Sequence, residues 1–232
     1  MVPANNEAQS IGARLVALVA AAKAVDVPVA ICVVLDDSRD ATAGLVASAA
    51  TDTGADIAAL AIEERSVGAA RRAGAAAMLD RVGRSGTWLA TTDADSEVPV
   101  SWLNCQVRHA NRGADAVVGA VTVDDWSDRS AHVRAAAEHR YQLSSRHIHG
   151  ANLGVRSDAY QDVGGFGPVC CHEDVALVRA LATAGWRVLW DNDLVVITSA
   201  RRAGGAPEGF SGFLDALDPA FVSGGAFLSA AS

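Results

Sequence analysis

Three almost continuous apolar runs, at residues 29–35, 57–62 and 87–92, alternate with stretches of helical character at 7–24, 40–50 and 66–82. A chain that alternates in this way folds as successive βα units around a mostly parallel sheet. The runs lack the polar/apolar alternation of a half-exposed strand, so helices are expected on both faces. Two of the runs end in paired acids: Asp36 and Asp37 follow the first, and Asp93 and Asp95 follow the third. Open α/β sheets bind ligands beyond the carboxyl ends of their strands, which marks these pairs as a candidate site.

Side chains at i and i+2 of an extended segment fall on one side, so Asp93 and Asp95 can converge on a single hard cation, whose preferred ligands are oxygens. A cation held there would also engage a diphosphate. Taken alone, the same pair reads more readily as a polar turn that caps the helix beginning near Pro99.

The second half is less regular. It is expected to hold a strand at 116–121, a helix at 130–145, a segment at 149–155, a helix at 173–184, a strand at 195–198 and a short helix within 207–217. With 232 residues and half of them apolar, the chain is long enough for one large domain with a substantial core. A single domain over 1–232 is therefore expected: a nucleotide-binding half at about 1–97, an acceptor-side half at about 98–202, and a partly mobile tail at 203–232.

The formal charge of −8, from 27 acidic and 19 basic residues, argues against binding a nucleic-acid polymer or an anionic membrane surface. Cys32, Cys105, Cys170 and Cys171 lack paired zinc-site spacing and are too few for a disulfide scaffold, which fits a reducing, cytoplasmic setting. The adjacent Cys170 and Cys171 are given no chemistry. The apolar run at 15–22 follows a polar start and reads as an amphipathic helix, and no run reaches the roughly 18 residues that would make an integral membrane span. A homo-oligomer remains compatible with this composition.

The chain opens with PANNE at residues 3–7, continues with LDDSRDAT at 35–42 and DAD at 93–95, and later carries HGANLGVR at 149–156, GGF at 164–166 and the acids Glu173 and Asp174. In this order the motifs resemble family 2 glycosyltransferases of the GT-A fold, over about residues 2–200. The resemblance implies an enzyme that moves a sugar from a nucleotide-diphosphate donor, a UDP-sugar by family habit, to an acceptor hydroxyl with inversion. It implies that Pro3, Ala4, Asn5 and Glu7 line the nucleoside pocket and that Asp37, with Asp36 beside it, accepts a hydrogen bond from the base. Arg71, in a glycine- and arginine-containing helix, would meet phosphate or sugar oxygens, and Arg201 would close over the diphosphate.

By the same resemblance Asp95 is the main ligand of Mg²⁺ or Mn²⁺ and Asp93 lies nearer the ribose or sugar. Asp174 is the expected general base, with Glu173 able to exchange roles with it, and Asn152 is expected to contact the donor sugar or the acceptor. Local readings compete with several of these roles. Asp36, Asp37 and Asp40 also read as a capped turn, and Glu173 and Asp174 as first-turn acids at a helix N-terminus. His149 and His172 match no family ligand position cleanly.

The chain departs from the family in one respect: only Met1 and Val2 precede Pro3, so the first strand is expected to be almost absent and the nucleoside pocket weakened. That departure keeps a non-catalytic nucleotide-binding relative in play. A sugar-nucleotide pyrophosphorylase is disfavoured, because residues 3–7 carry no glycine-rich phosphate loop. The acceptor is left open.

Overall fold

A computed structural model describes residues 1–123, 125–142, 146–201 and 210–218. The first four strands, β1 (Val2–Ala4), β2 (Ile31–Asp36), β3 (Ile57–Ile62) and β4 (Trp88–Thr91), are joined by α1 (Ile11–Ala24), α2 (Thr42–Thr53) and α3 (Val67–Val82). There follow α4 (Trp102–Asn111), β5 (Ala116–Val123), α5 (Ala131–Gln142), a 3₁₀ turn at Gly150–Asn152, β6 (Leu153–Arg156), α6 (Ser157–Asp162), α7 (Glu173–Thr183), β7 (Val188–Thr198) and α8 (Phe210–Ala216). The expected tail at 203–232 falls mostly outside the described residues, α8 being the part that is described.

Local chemistry explains the element ends. In α1, Ile11, Leu15, Leu18 and Val19 recur at helical spacing and are all buried. The N-terminus of α3 is capped by Ser66, whose hydroxyl accepts the Ala69 N–H at 3.2 Å, and α2 stops at Gly54, which takes the left-handed conformation (φ 62°).

β1, β2 and β3 are parallel, with Val2 opposite Val33 and Ile31 opposite Ile57. The second set runs β4-β6-β5-β7, with β6 antiparallel to both β4 and β5, and β5 parallel to β7. Met1 joins the two sets. Its amino group donates to the Ala90 carbonyl at 2.8 Å and its carbonyl accepts the Thr92 N–H at 3.3 Å, so it bridges alternate residues of β4 as a parallel neighbour does. The first strand is therefore short, as the sequence implied, but it pairs with β2 and the residue before it, Met1, bonds to the end of β4. β1, β2 and β4 point their carboxyl ends the same way, and β6 is the reversed strand.

Helices cover both faces. On one, Leu15 and Val19 of α1 and Trp102 of α4 pack with Val33 and Leu35 of β2; on the other, Leu79 of α3, Tyr160 of α6 and Leu177 of α7 pack with Leu89, Val118 and Val155. β7 begins seven residues before the apolar run at 195–198, because its early part is interrupted by the polar Asp191, Asn192 and Asp193. There the register breaks: Gly119 pairs with Asp191 but the next residue, Ala120, pairs with Val195.

Candidate functional site

The carboxyl ends of β1, β2 and β4 open onto a cleft of about 850 Å³, bordered on its far side by α7 and the segment at 147–151. Of the residues that the sequence nominated, all but Asn152 line it.

At the β1–β2 end, two loops are laced together. Asn5 Nδ2 donates to the Asp36 carbonyl at 2.6 Å, Ser38 Oγ to the Ala4 carbonyl at 3.1 Å, and the Glu7 N–H to Thr42 Oγ1 at 2.8 Å. Asp40 accepts the Ala8 and Thr42 N–H groups, both at 3.0 Å. The capped-turn reading of this loop and its place in the cleft hold together.

Asp36 and Asp37 divide the work. Asp36 is buried and accepts the backbone N–H groups of Glu64, Arg65 and Ser66, each at 2.8 Å. Its carboxylate is committed to the β3–α3 connection, which corrects the expectation that it helps to bind a base. Asp37 takes a left-handed backbone (φ 49°) that turns its side chain toward the cleft edge between Arg65 and Arg39. Those hydrogen bonds, Arg65 foremost, hold its carboxyl below the usual range.

Arg71 is 4% exposed and is the hub of the opposite wall. One terminal nitrogen of its guanidinium meets Glu173, itself 2% exposed, the other meets Asp93, and Nε donates to Thr91 Oγ1 at 3.3 Å. The guanidinium fills the space beside Gly150, where any Cβ would collide with it. Arg71 thus ties α3 to α7 and fixes one carboxylate of the acidic pair. This corrects two expectations: Arg71 is spent on protein carboxylates rather than left for phosphate, and Glu173 is buried against it rather than available as a base.

Asp95 stands in a crowd of negative charge. Burial, then Asp93, with a smaller push from Glu7, raise its carboxyl to about 6 against the opposing pull of Arg201. Arg201 meets both oxygens of the Glu7 carboxylate and lies 3.5 Å from Asp95 Oδ2, so it ties the segment after β7 to the cleft.

Across the cleft, Asp174 sits in the first turn of α7, with Oδ2 accepting the Gly150 N–H at 2.6 Å. His149 adjoins it and is hydrogen-bonded through Nε2 to the Tyr141 hydroxyl. Burial pushes His149 down to about 4, Asp174 opposing, so the imidazole is neutral at ordinary pH. The Tyr141 and His147 rings stack at 4.2 Å between centroids. Sequence reasoning assigned nothing to Tyr141 and His147 and left His149 without a role, since the end of α5 reaches the cleft only through the tertiary fold. His172, in a left-handed conformation (φ 60°), precedes α7 on the same wall.

Asn152 does not contact the cleft. It is fully buried; Nδ2 donates to the carbonyls of Ala120 (2.8 Å) and Leu194 (2.7 Å), and Oδ1 accepts the Trp102 indole N–H at 2.9 Å. Both carbonyls belong to the register break between β5 and β7, and Gly119 leaves room for the amide, since a Cβ there would collide with it. Asn152 therefore plugs the bulge, correcting its expected contact with sugar or acceptor. Asn152→Ala, which strands those partners, is expected to cost about 2–4 kcal/mol in chemical denaturation while leaving the ligand affinity of the folded protein unchanged.

The fold has solved relatives. A mannosyltransferase from Pyrobaculum calidifontis, PcManGT, solved with GDP-Man and Mn²⁺, superposes with a TM-score of 0.64 at 21% identity over 88% of this chain and 56% of that one. TarS 1–349 of S. aureus, solved with UDP-GlcNAc, gives 0.66 at 14% identity over 93% and 62%. Glucosyl-3-phosphoglycerate synthase from Mycobacterium tuberculosis, solved with Mn²⁺, UDP and glucosyl-3-phosphoglycerate, gives 0.56 at 19% identity over 84% and 68%. The chain spans about three fifths of the length of the first two, and at these identities the likeness is one of fold. No curated protein matches the chain. Residues 1–164 match the model of glycosyl transferase family 2, which covers β1 to β6 and both acidic turns, and the chain belongs to that family.

Proposed function

We propose that the cleft binds a nucleoside diphosphate sugar together with a divalent cation, Mg²⁺ or Mn²⁺, and that the chain transfers the sugar to an acceptor hydroxyl with inversion at the anomeric carbon. The observation that carries this reading is the convergence of Asp37, Asp93, Asp95 and Asp174 on one cleft at the carboxyl ends of the strands. Family membership supports the same chemistry, and the three relatives named above were solved with nucleotides or nucleotide sugars.

Asp93 and Asp95 offer oxygen donors of the kind a hard cation takes, although among the described residues no group of three or more His, Cys, Asp or Glu is gathered to hold one. Asp95 supplies carboxylate oxygens in a place where burial and neighbouring acids disfavour its charge, and Asp93 lies beside it with one oxygen turned to Arg71. Asp95 would be the main ligand and Asp93 the lesser one. When bound, the cation would stabilise negative charge on the departing diphosphate. Pro3, Ala4 and Asn5 would line the nucleoside, with Asp37 offering an acceptor to a base N–H. Arg201, already in the lining of the cleft, would turn from Glu7 toward the diphosphate.

Asp174 is the base in this reading. It lines the same cleft as Asp95, and the Gly150 N–H fixes one of its oxygens. It would take the proton from the acceptor hydroxyl as that oxygen attacks the face of the sugar opposite the leaving group. Uridine donors are preferred by family habit, and the acceptor class is open.

Calorimetric titration with UDP, GDP and TDP, each with Mn²⁺ and with chelator, tests the proposal. One nucleotide is expected to bind only with the metal, and Asp95→Ala is expected to abolish that metal-dependent component while the protein stays folded. A folded chain that binds none of the three with Mn²⁺ would overturn the reading.

A further inference from the structure

One wall of the cleft carries two adjacent thiols to which the proposed transfer gives no role. Cys170 and Cys171 are adjacent, neither is in a disulfide, and their sulfurs lie 3.4 Å apart. Both line the cleft, next to Ser66 and Val67 of the α3 N-terminus and ahead of Asp174.

The segment that holds them is anchored on both sides. On the N-terminal side the Val169 carbonyl accepts the Gly68 N–H at 3.1 Å and the Ser66 hydroxyl at 2.8 Å. Gly68 is a glycine of necessity, since a Cβ there would collide with the carbonyls of Gly167 and Val169. On the C-terminal side, Glu173 is held by the buried Arg71. Between these anchors only Cys170, Cys171 and His172 intervene, so the two sulfurs are presented together at a fixed place. A dithiol already drawn to 3.4 Å needs little rearrangement to bring both sulfurs onto one soft atom, and the second bond then forms at the high effective concentration of an intramolecular partner.

We propose that Cys170 and Cys171 form a chelating dithiol site for trivalent arsenic on the wall of the cleft. An organoarsenic oxide reacts there by replacement: two S–As bonds form, the As=O bond is lost, and both thiol protons leave with the oxygen as one water. Arsenic stays trivalent, so no oxidant or reductant takes part. Because the sulfurs line the cleft, the adduct also occupies space that a nucleotide would need.

Phenylarsine oxide and intact-mass spectrometry test the site. The wild-type chain is expected to carry one phenylarsenic group that survives an excess of the monothiol 2-mercaptoethanol and is released by the dithiol 2,3-dimercaptopropanol. Cys170→Ser and Cys171→Ser, which keep Cys32 and Cys105, are each expected to lose retention at least about 100-fold, the low end of the chelate advantage. A wild-type adduct that the monothiol strips, or equal retention in either serine variant, would overturn the proposal. The first of these comparisons uses the wild-type chain alone and so does not depend on how the variants fold.

A second titration reads the consequence for the cleft. With Mn²⁺, the adduct is expected to weaken binding of the nucleotide that the untreated chain takes by at least about tenfold, and unchanged affinity would overturn the claim of obstruction. This arm rests on the proposed function. If the untreated chain binds no nucleotide, that reading fails while adduct retention still decides the dithiol site.

Discussion

Replacing Arg71 by methionine is expected to destabilise the protein by about 3–5 kcal/mol, the cost of breaking a buried ion pair by removing one partner. Methionine retains an unbranched apolar stem of similar length, so the loss would come from charge rather than volume. It leaves the Glu173 carboxyl at 2% exposure without its counterion, and it removes the cation that holds Asp93. The double variant Arg71→Met/Glu173→Gln removes both charges and is expected to recover a substantial part of the deficit. Urea denaturation of the two single variants and the double one gives the coupling directly. Additive single costs would show that the pair is not the unit that holds α3 against α7. A second consequence separates this role from simple destabilisation: metal-dependent nucleotide binding by Arg71→Met should weaken even in the folded protein, since Asp93 is no longer oriented.

Asp174→Asn is expected to leave nucleotide affinity within about twofold while lowering transfer at least about 100-fold, the lower range for a positioned acid–base group. The substitution is nearly isosteric, and the amide oxygen can still accept the Gly150 N–H that now reaches Oδ2 at 2.6 Å. The local turn therefore survives and only the ability to take a proton is lost. The readout is release of nucleoside diphosphate from whichever donor binds, alongside calorimetry of the same nucleotide. Wild-type turnover in the variant would remove Asp174 from the role of base. Glu173→Gln makes the contrast: with its carboxylate turned onto Arg71, its first effect should be on stability rather than on transfer of a proton.

The acidic wall was legible in the sequence because its signals are local. Asp36, Asp37, Asp93 and Asp95 each sit within three residues of the end of an apolar run, and the end of a parallel strand is where such a sheet opens. The capped turn at 36–42 was equally legible, since Asp40 and Thr42 bond to their own near neighbours and to the segment at 7–8. The local signal misled where an acid or amide met a partner far away in the chain. Nothing in the spacing of Asp36 shows that it accepts three N–H groups from the β3–α3 connection. Nothing near Asn152 shows that it satisfies carbonyls of two separate strands.

What the sequence by itself determined is the βα alternation, the helices on both faces, and the family to which its ordered motifs point. Each depends on apolar continuity and turn chemistry that a few consecutive residues carry. What only the tertiary structure decided is which charges are spent and which remain for a ligand. Arg71 and Glu173, separated by 102 positions, become one buried pair, while Asp95 is left beside Asp93 and Glu7 with Arg201 as the cation that opposes them among the described residues. The placement of Met1 between β1 and β4, which rescues a strand of three residues, is of the same kind. The reason is physical: desolvation and pairing energies depend on the distances between atoms in the folded state, and no local period in the chain encodes those distances.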